Sequence, residues 1–183
     1  MTAVRPRPSF ESFALLACAA ALPGCSEPIP SGAPTIRVGH DACIECGMMI
    51  AEDRCSAASI VEHDGIVEER LFDDIGCLLD WERGHPEESV RSRWVHDYAT
   101  RTWCDALVAG YIDHSTVRTP MASGLLAFAD GRSAVEATAL HGGRPLDWAA
   151  LAAARLAWLD ERDRAYEREA ERELAAEPPP AGR

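Results

Sequence analysis

An Asp-Gly pair, Asp64-Gly65, constrains this chain more than any other short feature in it. It follows His63 and stands between two runs rich in β-forming residues, Cys55 to Val61 and Ile66 to Phe72. Both residues of such a pair tolerate the positive φ that a two-residue turn requires, so the two runs are expected to fold back on each other as a hairpin. Asp73 is then expected to cap a helix, because Ile75, Leu78 and Leu79 fall at the spacing of one helical face and Gly84 supplies a stop. After Pro86 the segment from Val90 to Tyr98 reads as another strand. The order is strand, strand, helix, strand.

A second, weaker copy of that order follows. Leu107 to His114 and Leu125 to Phe128 read as strands, Asp130 to Leu140 as a helix, and a last strand comes after Gly142-Gly143. Phe72-Asp73-Asp74 and Phe128-Ala129-Asp130 occupy corresponding strand-to-helix junctions, as a duplicated unit would have them. Beyond Asp147 the chain reads as a helix to about Leu174. Leu151, Leu156 and Leu159 are apolar in its first half, and Asp160 with Arg164, and Glu169 with Arg172, are spaced to pair along it. A Pro-rich tail without regular structure, Pro178 to Arg183, is expected to follow. The fold class is therefore α+β, two small ββαβ units in tandem with a C-terminal helix.

The N-terminal residues read as an export signal. Arg5 and Arg7 precede an apolar stretch from Phe13 to Leu22 that ends Leu22-Pro23-Gly24-Cys25. That ending resembles the lipobox of bacterial lipoproteins, which makes Cys25 the expected lipidated first residue. Leu15-Leu16-Ala17-Cys18 is a rival site, but Glu11 interrupts its apolar run. About ten apolar residues fall short of the roughly 20 that a spanning helix needs. The expected organisation is a signal peptide over 1–24, a tether over 25–34, the first unit over 35–105, the second over 106–147, and a charged helix and tail over 148–183. The tether reading rests on Pro28, Pro30, Gly32 and Pro34. The folded part is expected to face the periplasm, held to a membrane by its lipid. Ser26 after Cys25 favours the outer membrane, by analogy with lipoprotein sorting.

The formal charge is −12, and all 18 basic residues are arginine. Nothing supplies the positive cluster that a nucleic-acid backbone requires, so nucleic acid is not an expected partner. Seven cysteines in a chain bound for an oxidising compartment would ordinarily imply a disulfide framework. Removing Cys18 with the signal and Cys25 to lipid leaves Cys43, Cys46, Cys55, Cys77 and Cys104, an odd number that cannot all pair within the chain.

The chemistry concentrates in His40-Asp41-Ala42-Cys43-Ile44-Glu45-Cys46-Gly47-Met48-Met49-Ile50. Thiolate and thioether donors match a soft d¹⁰ cation such as Cu(I), and Gly47 lets the backbone turn so that Cys46 and Met48 face one ion. Three readings compete for Cys43 and Cys46. A redox couple has the right spacing but no preceding βαβ pattern. A structural zinc site wants a second ligand pair, and no second Cys-x-x-Cys or spaced histidine pair follows. A soft-metal site alone gives Met48 a role, while Met48 and Met49 as plain core residues are the commoner fate of methionine. The residues by themselves leave these open. No motif places a nucleophile beside a base, so no enzyme activity is expected.

With these segments in hand the chain resembles the NosL family, the copper-binding accessory lipoproteins of nitrous oxide reductase. The resemblance rests on Asp41 to Ile50, Phe72-Asp73-Asp74-Ile75-Gly76-Cys77, Trp94-Val95-His96-Asp97-Tyr98, Trp103-Cys104-Asp105-Ala106, Pro120-Met121-Ala122-Ser123-Gly124, Ala127-Phe128 and Gly142-Gly143. It implies an architecture similar to that of organomercurial lyase, and a Cu(I) carrier for nitrous oxide reductase or its copper-assembly machinery. By matching position, Cys46 and Met48 carry the metal and Met121 is a further sulfur ligand. Cys43 and His40 are accessory ligands or gatekeepers, Asp41 supports the ligands from behind, and the Phe-Asp-Asp segment is structural, with Asp73 capping a helix and Cys77 facing the core. The family pattern does not account for Cys55. The runner-up is a periplasmic thiol-disulfide protein using Cys43 and Cys46. A third reading is an interaction lipoprotein whose sulfur residues are structural.

Overall fold

The computed structural model describes residues 32–176. The expected signal peptide, Cys25, most of the tether and the tail beyond Ala176 lie outside the described residues.

The hairpin forms as the Asp-Gly pair dictates. β1 (Ala57–His63) and β2 (Ile66–Phe72) pair antiparallel from Ala57↔Phe72 to His63↔Ile66. Asp64 and Gly65 both take positive φ, 50° and 79°, in the turn. α1 (Ile75–Gly84) follows, and β3 (Ser89–His96) returns on the other side of β1. A short β4 (Trp103–Asp105) extends this sheet, whose order is β2-β1-β3-β4.

The second unit repeats the plan. β5 (Gly110–Asp113) is central, flanked by β6 (Leu126–Phe128) and β7 (Arg144–Leu146), with α2 (Gly131–His141) between those two in sequence. In both units the first strand is the middle of an antiparallel triplet. The α+β class and the doubled ββαβ order are as the sequence implies.

Three local expectations need correction. The cap of α1 is Asp74 rather than Asp73: Asp74 has extended backbone and accepts the Gly76 N–H at 2.7 Å, which starts the helix one residue later. The strand expected to reach Tyr98 ends at His96, because the Asp97 carboxylate takes the N–H groups of Ala99 and Thr100 and turns the chain. The strand expected from Leu107 begins at Gly110. Asp105 binds the N–H groups of Leu107, Val108 and Ala109 in a turn and leaves Leu107 and Val108 exposed.

The main core crosses both units. Phe72, Ile75, Leu78, Trp81 and Val95 pack with Tyr111, Leu125 and Ala127, and Leu151 closes the cluster from α3 (Trp148–Ala176). A smaller core holds Cys55, Ile112, Leu126, Phe128 and Ala134. α3 lies against α1, joined by the two-pronged Arg155–Asp80 pair at 2.7 and 2.8 Å. Asp160 pairs with Arg83 of α1, not with Arg164 one turn along its own helix, and Glu169 and Arg172 make no ion pair among the described residues. Docking against a neighbour outcompetes pairing along a solvated face. Among the described residues no helix is long and apolar enough to cross a membrane.

Candidate metal centre

The Cys-Gly-Met segment is the tip of a tight antiparallel turn. Ala42 bridges Met49, Cys43 N–H binds the Met48 carbonyl at 2.8 Å, and Ile50 N–H binds the Asp41 carbonyl at 2.9 Å. Gly47 N–H returns to the Cys43 carbonyl at 2.9 Å with φ at +73°, a conformation costly to any side chain with a Cβ. Arg37 grips Asp41 through its backbone N–H and guanidinium and so holds the approach to the turn. Ile44 N–H binds the Leu71 carbonyl at 2.9 Å. That bond seats the turn against the end of β2, beside Asp73.

The Sγ atoms of Cys43, Cys46 and Cys77 and a carboxylate oxygen of Asp73 consequently lie within 4.8 Å of one another. Cys43, Asp73 and Cys77 are buried, while Cys46 is half-buried and forms the mouth. Asp73 does not cap the helix because it faces this pocket, where it accepts the Cys46 thiol at 3.6 Å. Hydrogen bonding from the Cys77 thiol draws Cys43 down to about 6, helped by the N–H groups of Cys46, Asp73 and Glu45 and opposed by burial. Cys77 is pushed up, by its bond to Cys43 and then by burial. Burial pushes Cys46 up to about 11, although the Met48 N–H points at its sulfur. The pocket thus presents one thiolate and two thiols at neutral pH, with backbone N–H groups aimed at sulfur.

The residues expected from sequence fall in three places. Cys43 and Cys46 are in the four-donor pocket. Met48 is 55 % exposed on the outer arm of the turn, and Met121 is 41 % exposed in a loop of the second unit. The Met121 N–H binds Asp74 Oδ2 at 3.1 Å, so the residue that caps α1 also holds that loop. The loop packs on the first turn of α1: a Cβ added at Gly76 would stand 2.9 Å from Ser123 Cβ. His40 is exposed on the approach and stands outside the four-donor pocket. Cys25 lies outside the described residues.

Asp73 and Cys77 are the donors that the sequence reading assigned to structure. A cysteine in the first turn of a helix, where N–H groups favour thiolate, was the available signal. They could supply the second pair of ligands that the zinc reading lacked. Cys55 packs in the smaller core, its thiol pushed up to about 12 by burial. Cys104 bonds the Val95 carbonyl at 3.3 Å and is likewise pushed up by burial, to about 11. Neither belongs to the pocket.

Comparison with known proteins gives a consistent answer. The family model for NosL matches residues 36–156, well over half of the chain. The crystal structure of the copper chaperone NosL from Shewanella denitrificans superimposes with a TM-score of 0.54 at 19 % identity. The match covers 65 % of this chain and 94 % of that one. At this identity the likeness speaks for the fold. A comparison with curated proteins returns no match. The matched span runs from the approach to the Cys-Gly-Met turn through both ββαβ units and into α3, and the chain belongs to the NosL family.

Proposed function

We propose that this protein is a Cu(I) carrier: it takes up the ion in the Cys43, Cys46, Asp73 and Cys77 pocket and passes it on through Met48 and Met121. The observation that carries the reading is the convergence of three thiols, two of them on the glycine-turned hairpin that also carries the exposed Met48. Family membership and the fold shared with a copper chaperone support it. Thiolate and thioether are the donors a soft monovalent ion selects, and Cu(I) is stable with two or three of them.

Transfer follows from the gradient of burial. Inner thiols ringed by N–H groups hold the ion away from water. The exposed sulfurs of Met48 and Met121 are weaker donors that an incoming ligand can displace, so release proceeds by ligand exchange without a catalysed step. The client is a cuproprotein, with nitrous oxide reductase or its copper-assembly machinery the expected recipient. The lipid on Cys25 would keep the carrier at the periplasmic face of a membrane, the outer one by the Ser26 argument.

The count of four donors favours a second reading, a tetrahedral Zn(II) site of three sulfurs and one oxygen. One experiment separates the two. The purified reduced protein is titrated anaerobically with Cu(I) against a competing chromophoric chelator, and in parallel with Zn(II), as wild type, Cys46→Ala and Met48→Ala. The carrier reading expects one tight Cu(I) equivalent, abolished in Cys46→Ala and weakened at least about tenfold in Met48→Ala. No competition for Cu(I) by wild type, or tight Zn(II) binding indifferent to Met48→Ala with no tight Cu(I) equivalent, overturns it.

A further inference from the structure

The three thiols of the pocket are not equivalent. Cys46 is half-buried and its thiol is directed at Asp73, 3.6 Å away. Cys43 and Cys77 are only 2 % and 4 % exposed, and both sulfurs face the interior of the pocket. Their atoms lie within the same 4.8 Å as the rest of the cluster. They come from different elements, the hairpin turn and the first turn of α1. A carrier of a two- or three-coordinate ion that already has Cys46 and a thioether does not need both.

We propose that Cys43 and Cys77 are a dithiol-disulfide couple, entered through Cys46, whose oxidation expels the ion held in the pocket. The couple stands on the apposition of the thiols. Only the expulsion rests on the copper reading.

The oxidant is a disulfide, of a small thiol or of a partner protein, and the electrons balance through three exchanges. The Cys46 thiol, its proton passing to Asp73, attacks one sulfur of the incoming disulfide; a mixed disulfide forms on Cys46 and the first thiolate leaves. The Cys43 sulfur then attacks Cys46, forming a Cys43–Cys46 bond and expelling the second thiolate. The Cys77 sulfur attacks Cys43 and returns Cys46 to the thiol, recovering the proton from Asp73. Two protein thiols are oxidised and one external disulfide is reduced to two thiols. Cys43 enters as the thiolate, so one product leaves as a thiol with the Cys77 proton and the other leaves as a thiolate.

Burial explains both the route and the end point. An external disulfide reaches Cys46 alone, and the product between two covered sulfurs is shielded from back-attack. Forming that bond removes two of the three sulfur donors from the pocket. An ion left with Cys46, Asp73 and the exposed methionines is then open to capture.

The test uses the full chain. Metal-free reduced protein is treated anaerobically with oxidised glutathione, quenched in acid, alkylated and mapped by mass spectrometry. The expected product links Cys43 to Cys77 and leaves Cys46 alkylated. A product linking Cys43 to Cys46 or Cys46 to Cys77, or glutathione left on Cys46, overturns the couple. Cys46→Ser is expected to slow formation of the link by about tenfold or more, since the entry thiol is gone. Oxidation of that variant at the wild-type rate overturns the route. In the Cu(I)-loaded protein, copper is expected in a chromophoric chelator in step with the loss of two thiols. Copper retained by oxidised protein overturns the expulsion. The metal-free map decides the couple even if the protein binds no Cu(I), in which case the carrier reading fails separately.

Discussion

The two ββαβ units are built to one plan and put to different uses. Each places its first strand between the other two, and each caps its helix with an aspartate, Asp74 in the first and Asp130 in the second. Each has a phenylalanine at the end of its second strand, Phe72 and Phe128, two residues before the cap. The residue between them is Asp73 in one and Ala129 in the other. Three positions after the cap stand Cys77 and Ser133. Two substitutions thus separate a junction with a carboxylate and a thiol from one with neither, on the same backbone. The second unit serves the site from outside, through the Met121 loop that Asp74 holds. The comparison shows that the shared backbone does not itself dictate a donor cluster: the four-donor pocket stands on one copy, and the other contributes the Met121 loop.

The sharpest way to break the comparison is at the strand opposite each phenylalanine. Ala57 pairs with Phe72 and Gly110 with Phe128. A Cβ on Gly110 would stand 2.4 Å from the Asp130 carbonyl oxygen and 2.5 Å from Gly131 Cα, so β5 and the start of α2 are in backbone contact. Gly110→Ala is expected to lower stability by about 3 kcal/mol, the upper end for overpacking, because the obstacle is backbone and cannot rotate away. Ala57→Gly should cost only about 1 kcal/mol. Urea unfolding of both variants checks the pair. Equal losses would mean that the units are packed alike after all.

The caps give the next contrast. Asp74 is buried and binds two N–H groups, Gly76 in its own unit and Met121 in the other. Asp130 is exposed and binds one, that of Ser133. Asp74→Ala is expected to cost about 2 kcal/mol, since it removes a cap and strands the Met121 N–H. It should also weaken Cu(I) binding by roughly 10–100-fold, the usual effect of freeing a residue that orients a ligand. Asp130→Ala should cost less stability and leave Cu(I) binding unchanged. If both caps have the same effect on metal binding, Asp74 does not connect the units.

The sequence made some of this comparison legible and hid the rest. The hairpin could be read from Asp64-Gly65 and the helices from apolar spacing, because local backbone preference and tertiary structure agree there. The units were recognisable as copies because their order of elements repeats. The candidate donors on the hairpin were legible because Cys43, Cys46 and Met48 lie close in sequence. Asp73 and Cys77 were quoted but assigned to capping and core. Two adjacent aspartates before a helix offer two caps, and only the fold shows that the second one caps while the first turns to the thiols. The partner of Asp160 was missed for a related reason: spacing along a helix predicts pairs on its own face, whereas Arg83 reaches it from α1.

The smallest expected effect concerns how the third strands end. β7 ends in Leu146, and β3 ends in a buried imidazole. His96 stacks on Trp103 with ring centroids 3.6 Å apart, and its Nδ1 lies 2.7 Å from Ser56 Oγ. Burial holds its pKa below the ordinary histidine range, with the charge of Asp53 opposing. The folded protein therefore keeps this ring neutral at a pH where the unfolded chain, with a histidine pKa of about 6.5, already takes up a proton. The unfolded state binds more protons below that pH, so the contribution of His96 is present above about pH 6.5 and is lost as the pH falls toward the folded value. The slope from this residue is at most about 1.4 kcal/mol per pH unit. His96→Gln, which keeps a hydrogen-bonding group but cannot titrate, should unfold in less urea at pH 7.5 and lose less stability than wild type on going to pH 5.5. A variant with the wild-type slope would assign the acid sensitivity to other groups, and the buried ring would then be a packing difference between the units and nothing more.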